Sequence, residues 1–471
     1  MRRRLVRPGI YQKVEVGFLQ ELYSIISDPG RIKTEGIAEK YVTDNLGRLQ
    51  GTCDALVFPV STEEVSEVMK WAYANSVQVT PRGAGTNLVG STVPEHGGIV
   101  LDLSLMNRIV ELDEDTLTVT AQPGVLLADL QAYVEARGLF YPPDPGEKQA
   151  TIGGNISTNA GGMRAVKYGV TRDYVRGLTA VLPSGEVIYT GGKVVKDSSG
   201  LSLKHLLIGS EGTLGIITEC VLKLIPKPAF VMGALVPFDS LKTGIDAVIR
   251  LIHENVGPTA IEFMERKVVA LGERFMGVTF PYPEASAYIL LSFDGNSESE
   301  VRSNAERARQ TAVRNGALDF LLLEDKAILD EVWKVRGALV KAVEAVSEQE
   351  PVDIVVPINK TADFIAYANE VEQESGVQLI SFGHAGDGNV HLCVVRGERD
   401  AEAWRNDLKA VMSRIYGKSH ELGGLTSGEH GIGLSKKPYF QKATDPAVIA
   451  AMKQIKNALD DRHILNTGKI F

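Results

Sequence analysis

The chain has 471 residues, which by the usual allowance of about 150 per domain means roughly three folding units or two large ones and excludes a single small binding module. Its 50 Lys and Arg against 59 Asp and Glu leave a net charge of −9, which opposes a phosphate-backbone partner, so no nucleic acid is expected. The three cysteines, Cys53, Cys220 and Cys393, lie far apart with no cluster spacing. They point to a reduced, cytoplasmic setting and to no iron–sulfur cluster on this chain.

No apolar run reaches the roughly 18 residues of a transmembrane helix, so no membrane span is expected. The N-terminus is basic (Arg2, Arg3, Arg4, Arg7) but lacks the apolar segment of a signal peptide, since Gly9 to Glu15 is mixed and polar. From 16 to 28, Phe18, Leu22, Ile25 and Ile26 recur at helical spacing and stop at Asp28, Pro29 and Gly30, which predicts an N-terminal helical extension over 1–52. Strand, helix, strand follows: Leu56 to Val60, a helix capped by Ser61 with Glu64 in the capping-box position, and Val77 to Thr80.

Glycines then punctuate 83–98, 153–162 and 185–215 between β-like stretches at Gly98 to Asp102, Thr116 to Ala121 and Leu178 to Leu182. The glycine-rich region ends at Pro226, Lys227 and Pro228, which places a boundary between a unit over 53–226 and another over 227–471. In the second, the pattern predicts strands at Val231 to Val236, Ala260 to Met264 and Ala287 to Phe293. Helices are expected at Leu241 to Glu254, over 297–315, and from Asp445 and Pro446 to about Arg462.

Three glycine loops carry the first chemistry. Pro81 to Ser91 (PRGAGTNLVGS) follows a predicted strand, but its glycines are spaced GxGxxxxG and no amphipathic helix comes after, so it is not the Rossmann fingerprint. Free amides in such a loop can still cradle phosphate, although one loop alone is equally well an ordinary turn. Thr151 to Gly162 (TIGGNISTNAGG) and Gly209 to Ile217 (GSEGTLGII) add small residues, hydroxyls and amides, the donors an extended dinucleotide needs.

In this order and spacing the loops resemble the FAD-binding domain of the vanillyl-alcohol oxidase/cresol methylhydroxylase class. Within it the chain is similar to the group of glycolate oxidase D subunits and FAD-linked D-lactate dehydrogenases. The resemblance implies an α+β fold: a two-subdomain FAD-binding domain, then an α+β substrate (cap) domain with an antiparallel sheet, whose C-terminal segment returns to the flavin. It implies that Pro81, Arg82, Gly83, Ala84, Gly85, Thr86 and Asn87 hold the FAD pyrophosphate. Ser91, Asp144, Thr151, Gly154, Asn155, Thr158, Ala160, Gly161, Gly162, Glu211, Gly215, Ile217 and Asn466 line the cofactor with them. Members with covalent flavin carry a histidine where Thr86 stands, so FAD is expected to be non-covalent.

Of eight histidines, three fall in two glycine-bounded motifs, FGHAGDGNVH (Phe382 to His391) and SGEHGIG (Ser427 to Gly433). His384, His391 and Glu429 match a two-histidine, one-carboxylate divalent site with open positions, although each histidine alone is more often structural. The resemblance assigns those three as ligands of a divalent metal (Zn, Mn or Fe), His430 as the base, Arg336 as the substrate-carboxylate clamp and Asn389 as a further substrate contact. Cys393, on the same strand face as His391, reads as a buried inert thiol.

With these assignments the resemblance implies oxidation of a small D-2-hydroxy acid, D-lactate preferred and glycolate possible, to the 2-oxo acid. Hydride goes to FAD and alcohol deprotonation is metal-assisted. With no cluster or haem motif on the chain, electrons must leave to an electron-transfer flavoprotein or an iron–sulfur subunit, through which any peripheral contact with the inner membrane is expected. The positions that match the distal-carboxylate residues of 2-hydroxyglutarate enzymes are Val340 and Pro351, which bind no anion. D-2-hydroxyglutarate oxidation and a non-catalytic flavin-binding subunit stay open beside this reading, as does metal-free oxidation of an aromatic alcohol or sugar.

Overall fold

The computed structural model describes residues 16–471; the basic arm with Arg2, Arg3, Arg4 and Arg7 lies outside them. The chain divides into two units, one of Met1–Ala160, Val170–Pro226 and Glu429–Phe471, the other of Gly161–Gly169 and Lys227–Gly428.

The first unit holds a four-stranded sheet in the order Ile32–Lys33, Ala55–Val57, Ile99–Asp102, Val79–Arg82, the last three parallel. Helix Thr62–Asn75 makes the crossover that parallel strands require. Ser61 starts it by accepting the Glu64 N–H, and Ser76, left-handed at φ 53°, ends it. Its Val65, Val68, Met69 and Ala72 are fully buried in one core with Ala55, Val57, Ile99 and Leu101. Each of these Val, Met, Ile and Leu side chains contributes about 1.5–3 kcal/mol of burial free energy.

Val79 N donates to Ile464 O and Asn466 N donates to Val79 O, both at 2.8 Å, so the C-terminal segment lines the open edge of this sheet. A five-stranded antiparallel sheet follows in the order Ile109–Asp113, Thr118–Ala121, Ile216–Lys223, Val175–Val181, Val187–Gly191. The strand expected from Thr116 begins only at Thr118, because Leu117 takes φ 50° and the Thr116 N–H is held by Asp113 Oδ1 in a turn. The N-terminal helix is Val16–Ile25, and Asp28 caps a separate turn at Pro29–Arg31.

The second unit is built on a seven-stranded antiparallel sheet in the order Leu321–Leu323, Phe230–Phe238, Ala287–Gly295, Ala260–Glu265, Gln378–His384, Asn389–Val395, Gln349–Val355. Helices Arg266–Met276 and Lys326–Glu344 cover one face over Leu235, Met264, Tyr288, Leu290, Ile380, Phe382, Cys393 and Val395. Along that face the alternation of strand side chains brings Glu262, His384, Asn389, His391 and Asp353 to neighbouring positions in the register. Gly161–Gly169 also belongs to this unit, since the Tyr168 hydroxyl bonds both Asp294 oxygens at 3.0 Å and Lys167 Nζ donates to Asp294 O at 2.9 Å.

Candidate functional site

In the first unit the three glycine loops meet. A Cβ on Gly83 would collide with Thr151 Oγ1, so the first loop touches the second at a distance only glycine permits. Gly209 N donates to Ile156 O at 3.0 Å and Glu211 N to Ser157 O at 2.7 Å, fixing the third loop on the second. Ser91 Oγ donates to the Glu211 carboxylate and closes the first loop on the third.

Glu211 is the hub of this cluster. Its carboxylate also accepts Ile432 N at 2.7 Å and Gly433 N at 2.9 Å, and its carbonyl accepts Asn466 Nδ2 at 2.7 Å. Burial pushes its pKa up, against the pull of Ser91 and the two amides. Asn87 works from the other side: Nδ2 donates to His430 O at 3.1 Å while Oδ1 accepts Val89 N and Ser91 N. The backbone that carries His430 is therefore held at its own carbonyl and again two residues later.

Other residues expected at the cofactor have visible partners. Pro81 and Arg82 end the strand Val79–Arg82 rather than lying in the loop. Arg82, 5% exposed, directs its guanidinium at Asp102 and Thr92 and fills the space beneath Gly85, where a Cβ would strike it. Asp144 pairs with Lys148. Thr151 caps Ile152–Thr158 by accepting Gly154 N, and the Thr158 hydroxyl bonds Gly154 O. Ala160 O accepts the Thr171 hydroxyl, Gly215 packs on Leu207, and Ile217 is buried in the five-stranded sheet.

Ala84 is exposed and Thr86 half-buried, whereas Gly161 and Gly162 fall in the second unit. Two buried atoms of this set, Asn155 Nδ2 and Asn466 Oδ1, have no hydrogen-bond partner among the described residues. Leaving a buried amide atom unpaired costs about 1–3 kcal/mol, so these positions suit a polar ligand such as a dinucleotide.

In the second unit, His384 and His391 face each other with their Nε2 atoms 3.3 Å apart and their rings nearly perpendicular at 87°. His384 Nδ1 lies 2.7 Å from Glu262 Oε1. A carboxylate there makes Nδ1 the protonated nitrogen and leaves the Nε2 lone pair for a cation, so the donor set suits a divalent metal. Arg336 donates Nε to Glu262 Oε2 at 2.9 Å, its Nη2 forms the ion pair with the same oxygen at 2.5 Å, and it lies over the Phe382 ring at 5.0 Å. That engages one edge of the guanidinium and leaves the end-on Nη1/Nη2 edge. Burial would raise the Glu262 carboxyl, but His384 and Arg336 outweigh it and hold it below the ordinary carboxylate value.

Asn389 spends both Nδ2 hydrogens, on Asp353 Oδ1 at 2.8 Å and Ile354 O at 3.0 Å, so only Oδ1 can meet a substrate, as an acceptor. Asp353 also takes up the Ser427 hydroxyl at 2.7 Å and Gly428 N at 3.1 Å, anchoring the start of the second motif. Glu429 and His430 follow as the first residues of the C-terminal part of the first unit, with 4.0 Å between Glu429 Oε1 and His430 Nε2. Cys393 lies in the apolar cluster, its thiol pushed up to about 12 by burial.

Sequence reasoning missed Glu262 and Asp353. Each sits inside an apolar strand run (AIEFM, VDIVV), and the signal available was a carboxylate in the middle of a segment with no other charge. Such a residue is almost never buried without a partner.

Residues 53–191 match the family described as FAD binding domain, and residues 227–470, more than half of the chain, match FAD linked oxidases, C-terminal domain. The chain is 45% identical to D-lactate dehydrogenase of Anaerostipes hadrus over 424 residues (88% of this chain, 89% of that protein). It is 37% identical to glycolate oxidase subunit GlcD of Bacillus subtilis (strain 168), with 92% of each covered. The solved structure of p-cresol methylhydroxylase with substrate bound superposes with a TM-score of 0.80 at 16% identity, covering 98% of both chains, which shows the vanillyl-alcohol oxidase type of α+β fold. The chain belongs to the FAD-linked oxidases: it is a flavoprotein oxidoreductase that binds FAD.

Proposed function

We propose that the protein oxidises a small D-2-hydroxy acid to its 2-oxo acid, with D-lactate the first candidate and glycolate the second. The observation that carries this is the pair His384 and His391, its tautomer set by Glu262, beside an arginine with one edge left for a carboxylate. The likeness to a D-lactate dehydrogenase and a glycolate oxidase subunit supports it. Bound FAD supplies the acceptor for the Cα hydride. His430 takes the hydroxyl proton, its backbone held by Asn87 and by the amides that Glu211 binds. Arg336 receives the substrate carboxylate on its end-on edge, and Asn389 Oδ1 accepts from the substrate.

His384 and His391, with Glu429 as third ligand, are the residues that would hold a divalent ion of the Zn, Mn or Fe type. Its positive charge favours the deprotonated form of a hydroxyl. Val340 and Pro351 offer no donor to a second carboxylate, which favours a monocarboxylate over D-2-hydroxyglutarate. The electrons pass to an electron-transfer flavoprotein or an iron–sulfur subunit, and among the described residues no helix is long and apolar enough to cross a membrane. Anaerobic mixing with D-lactate, L-lactate, glycolate and D-2-hydroxyglutarate tests the proposal. D-lactate should bleach the flavin absorbance fastest; bleaching by none of them would refute it.

A further inference from the structure

Glu262 is a fully buried carboxylate in the middle of the strand Ala260–Glu265, flanked in sequence by Ile261 and Phe263. In register it stands opposite Leu290 on one side and His384 on the other. A lone carboxylate is among the most costly groups to place there. Its two oxygens divide their work: Oε1 faces His384 Nδ1 at 2.7 Å, and Oε2 accepts Arg336 Nε and forms the ion pair with Nη2. A buried Arg–Glu pair alone is commonly no more stabilising than an apolar pair of the same shape, so stability does not account for this arrangement.

We infer that Glu262 is a positioning residue that prepares His384 as a metal ligand and fixes the direction of Arg336 with the same carboxylate. The inference rests on the proposed role of the histidine pair. The physical step is the tautomer. A carboxylate at Nδ1 holds the imidazole proton on that nitrogen, raises the basicity of Nε2 and locks the ring, leaving the Nε2 lone pair aimed at the point that His391 Nε2 also faces. Without the carboxylate, His384 is free to carry its proton on Nε2, where it repels a cation. Oε2 holds Arg336 by its side edge, so the guanidinium cannot turn its end-on edge away, and the Phe382 ring 5.0 Å away limits movement along the other axis.

The test is metal affinity, read separately from turnover. Flavin-loaded protein is stripped with a chelator and dialysed to equilibrium against graded Co²⁺, with flavin retention as the check of folding. Wild type should bind one Co²⁺. Glu262→Gln should bind it about 10–100-fold more weakly, the usual effect of removing a carboxylate behind a ligand histidine. Glu262→Asp, which restores the charge at shorter reach, should recover part of that loss, and serves alone if the Gln variant does not keep its flavin. Arg336→Met should leave Co²⁺ affinity within a few-fold of wild type while raising KM for the hydroxy acid. Equal Co²⁺ affinity in wild type and the Glu262 variants overturns this inference and leaves the histidine pair intact as a metal site. A wild type that binds no Co²⁺ overturns the metal role of the pair itself, and this inference with it.

Discussion

Asp353 stands directly opposite His391 in the register of strands Gln349–Val355 and Asn389–Val395, and its carboxylate gathers Asn389 Nδ2, the Ser427 hydroxyl and Gly428 N–H. One buried side chain thus ties the histidine-bearing strand to the residues that lead into Glu429 and His430. Asp353→Ala leaves three donors without their acceptor, at about 1–3 kcal/mol each if they stay buried. The expected outcome is a destabilisation of about 3 kcal/mol or more and, with His430 as the proposed base, a fall in kcat of at least about tenfold, because the segment leading to it no longer has a fixed start. Asp353→Asn keeps the shape but turns one acceptor into a donor, so it should lie between. Thermal unfolding of the flavin-loaded protein and steady-state kinetics on D-lactate check both; unchanged kcat in Asp353→Ala would show that Asn87 and Glu211 hold the motif unaided.

Gly431 supplies a second, independent constraint on His430. It sits at φ 84°, and a Cβ there would lie 2.9 Å from the Glu211 carboxyl carbon. An L-residue at such φ costs on the order of 1–3 kcal/mol before any clash. Gly431→Ala should therefore push the Glu211 carboxylate off the Ile432 and Gly433 amides, lower flavin occupancy, and reduce kcat by about tenfold or more. The ratio of flavin to protein absorbance after gel filtration reads the first effect directly. Glu211→Gln should act alike, since its amide group would face two N–H donors with another donor.

How much of this was legible in the sequence follows from the range of the interactions. The glycine loops could be read because a close backbone approach demands glycine locally, as Gly83 against Thr151 shows. Strand and helix positions could be read from periodicity, apart from ends set by single backbone conformations such as Leu117. Glu262 and Asp353 could not, because alternation within one strand tells which face a side chain takes but not which residue lies across from it. Their partners are 122 and 36 positions away. The same limit hides the partners of Arg82 and Arg336, since Asp102 and Glu262 come from strands other than the elements that carry the arginines. The passage of Gly161–Gly169 into the second unit left no signal either, since it depends on Asp294 accepting Lys167 and Tyr168.

The loop after Gly85 bears Thr86, whose hydroxyl is a poor nucleophile toward a flavin ring beside an imidazole or thiolate. FAD should be released whole by acid. Precipitation with trichloroacetic acid is expected to leave a colourless pellet and all the flavin absorbance in the supernatant; a yellow pellet would point to a covalent bond from another residue.

Lys469 provides a prediction for pH. It is 2% exposed and donates to Val93 O at 2.7 Å. Burial lowers its pKa from 10.5 to about 8, with Glu95 and Glu211 pulling the other way. Below pH 8 the folded protein carries a buried charge that the unfolded chain holds more easily. Above 10.5 the amine is neutral in both states and the penalty is gone. The contribution of this lysine to stability is therefore present above its unfolded pKa and lost as pH falls through the folded one. At about 1.36 kcal/mol per unit the whole swing is at most about 3 kcal/mol. Lys469→Met removes the titration and keeps most of the packing. Relative to wild type, the variant should do best near pH 7 and lose that relative advantage by about 2–3 kcal/mol toward pH 10. Urea unfolding of the flavin-loaded proteins at pH 7, 8.5 and 10 measures the difference. A gap between the two that stays constant over that range would mean the ammonium is stabilised as well in the fold as in water.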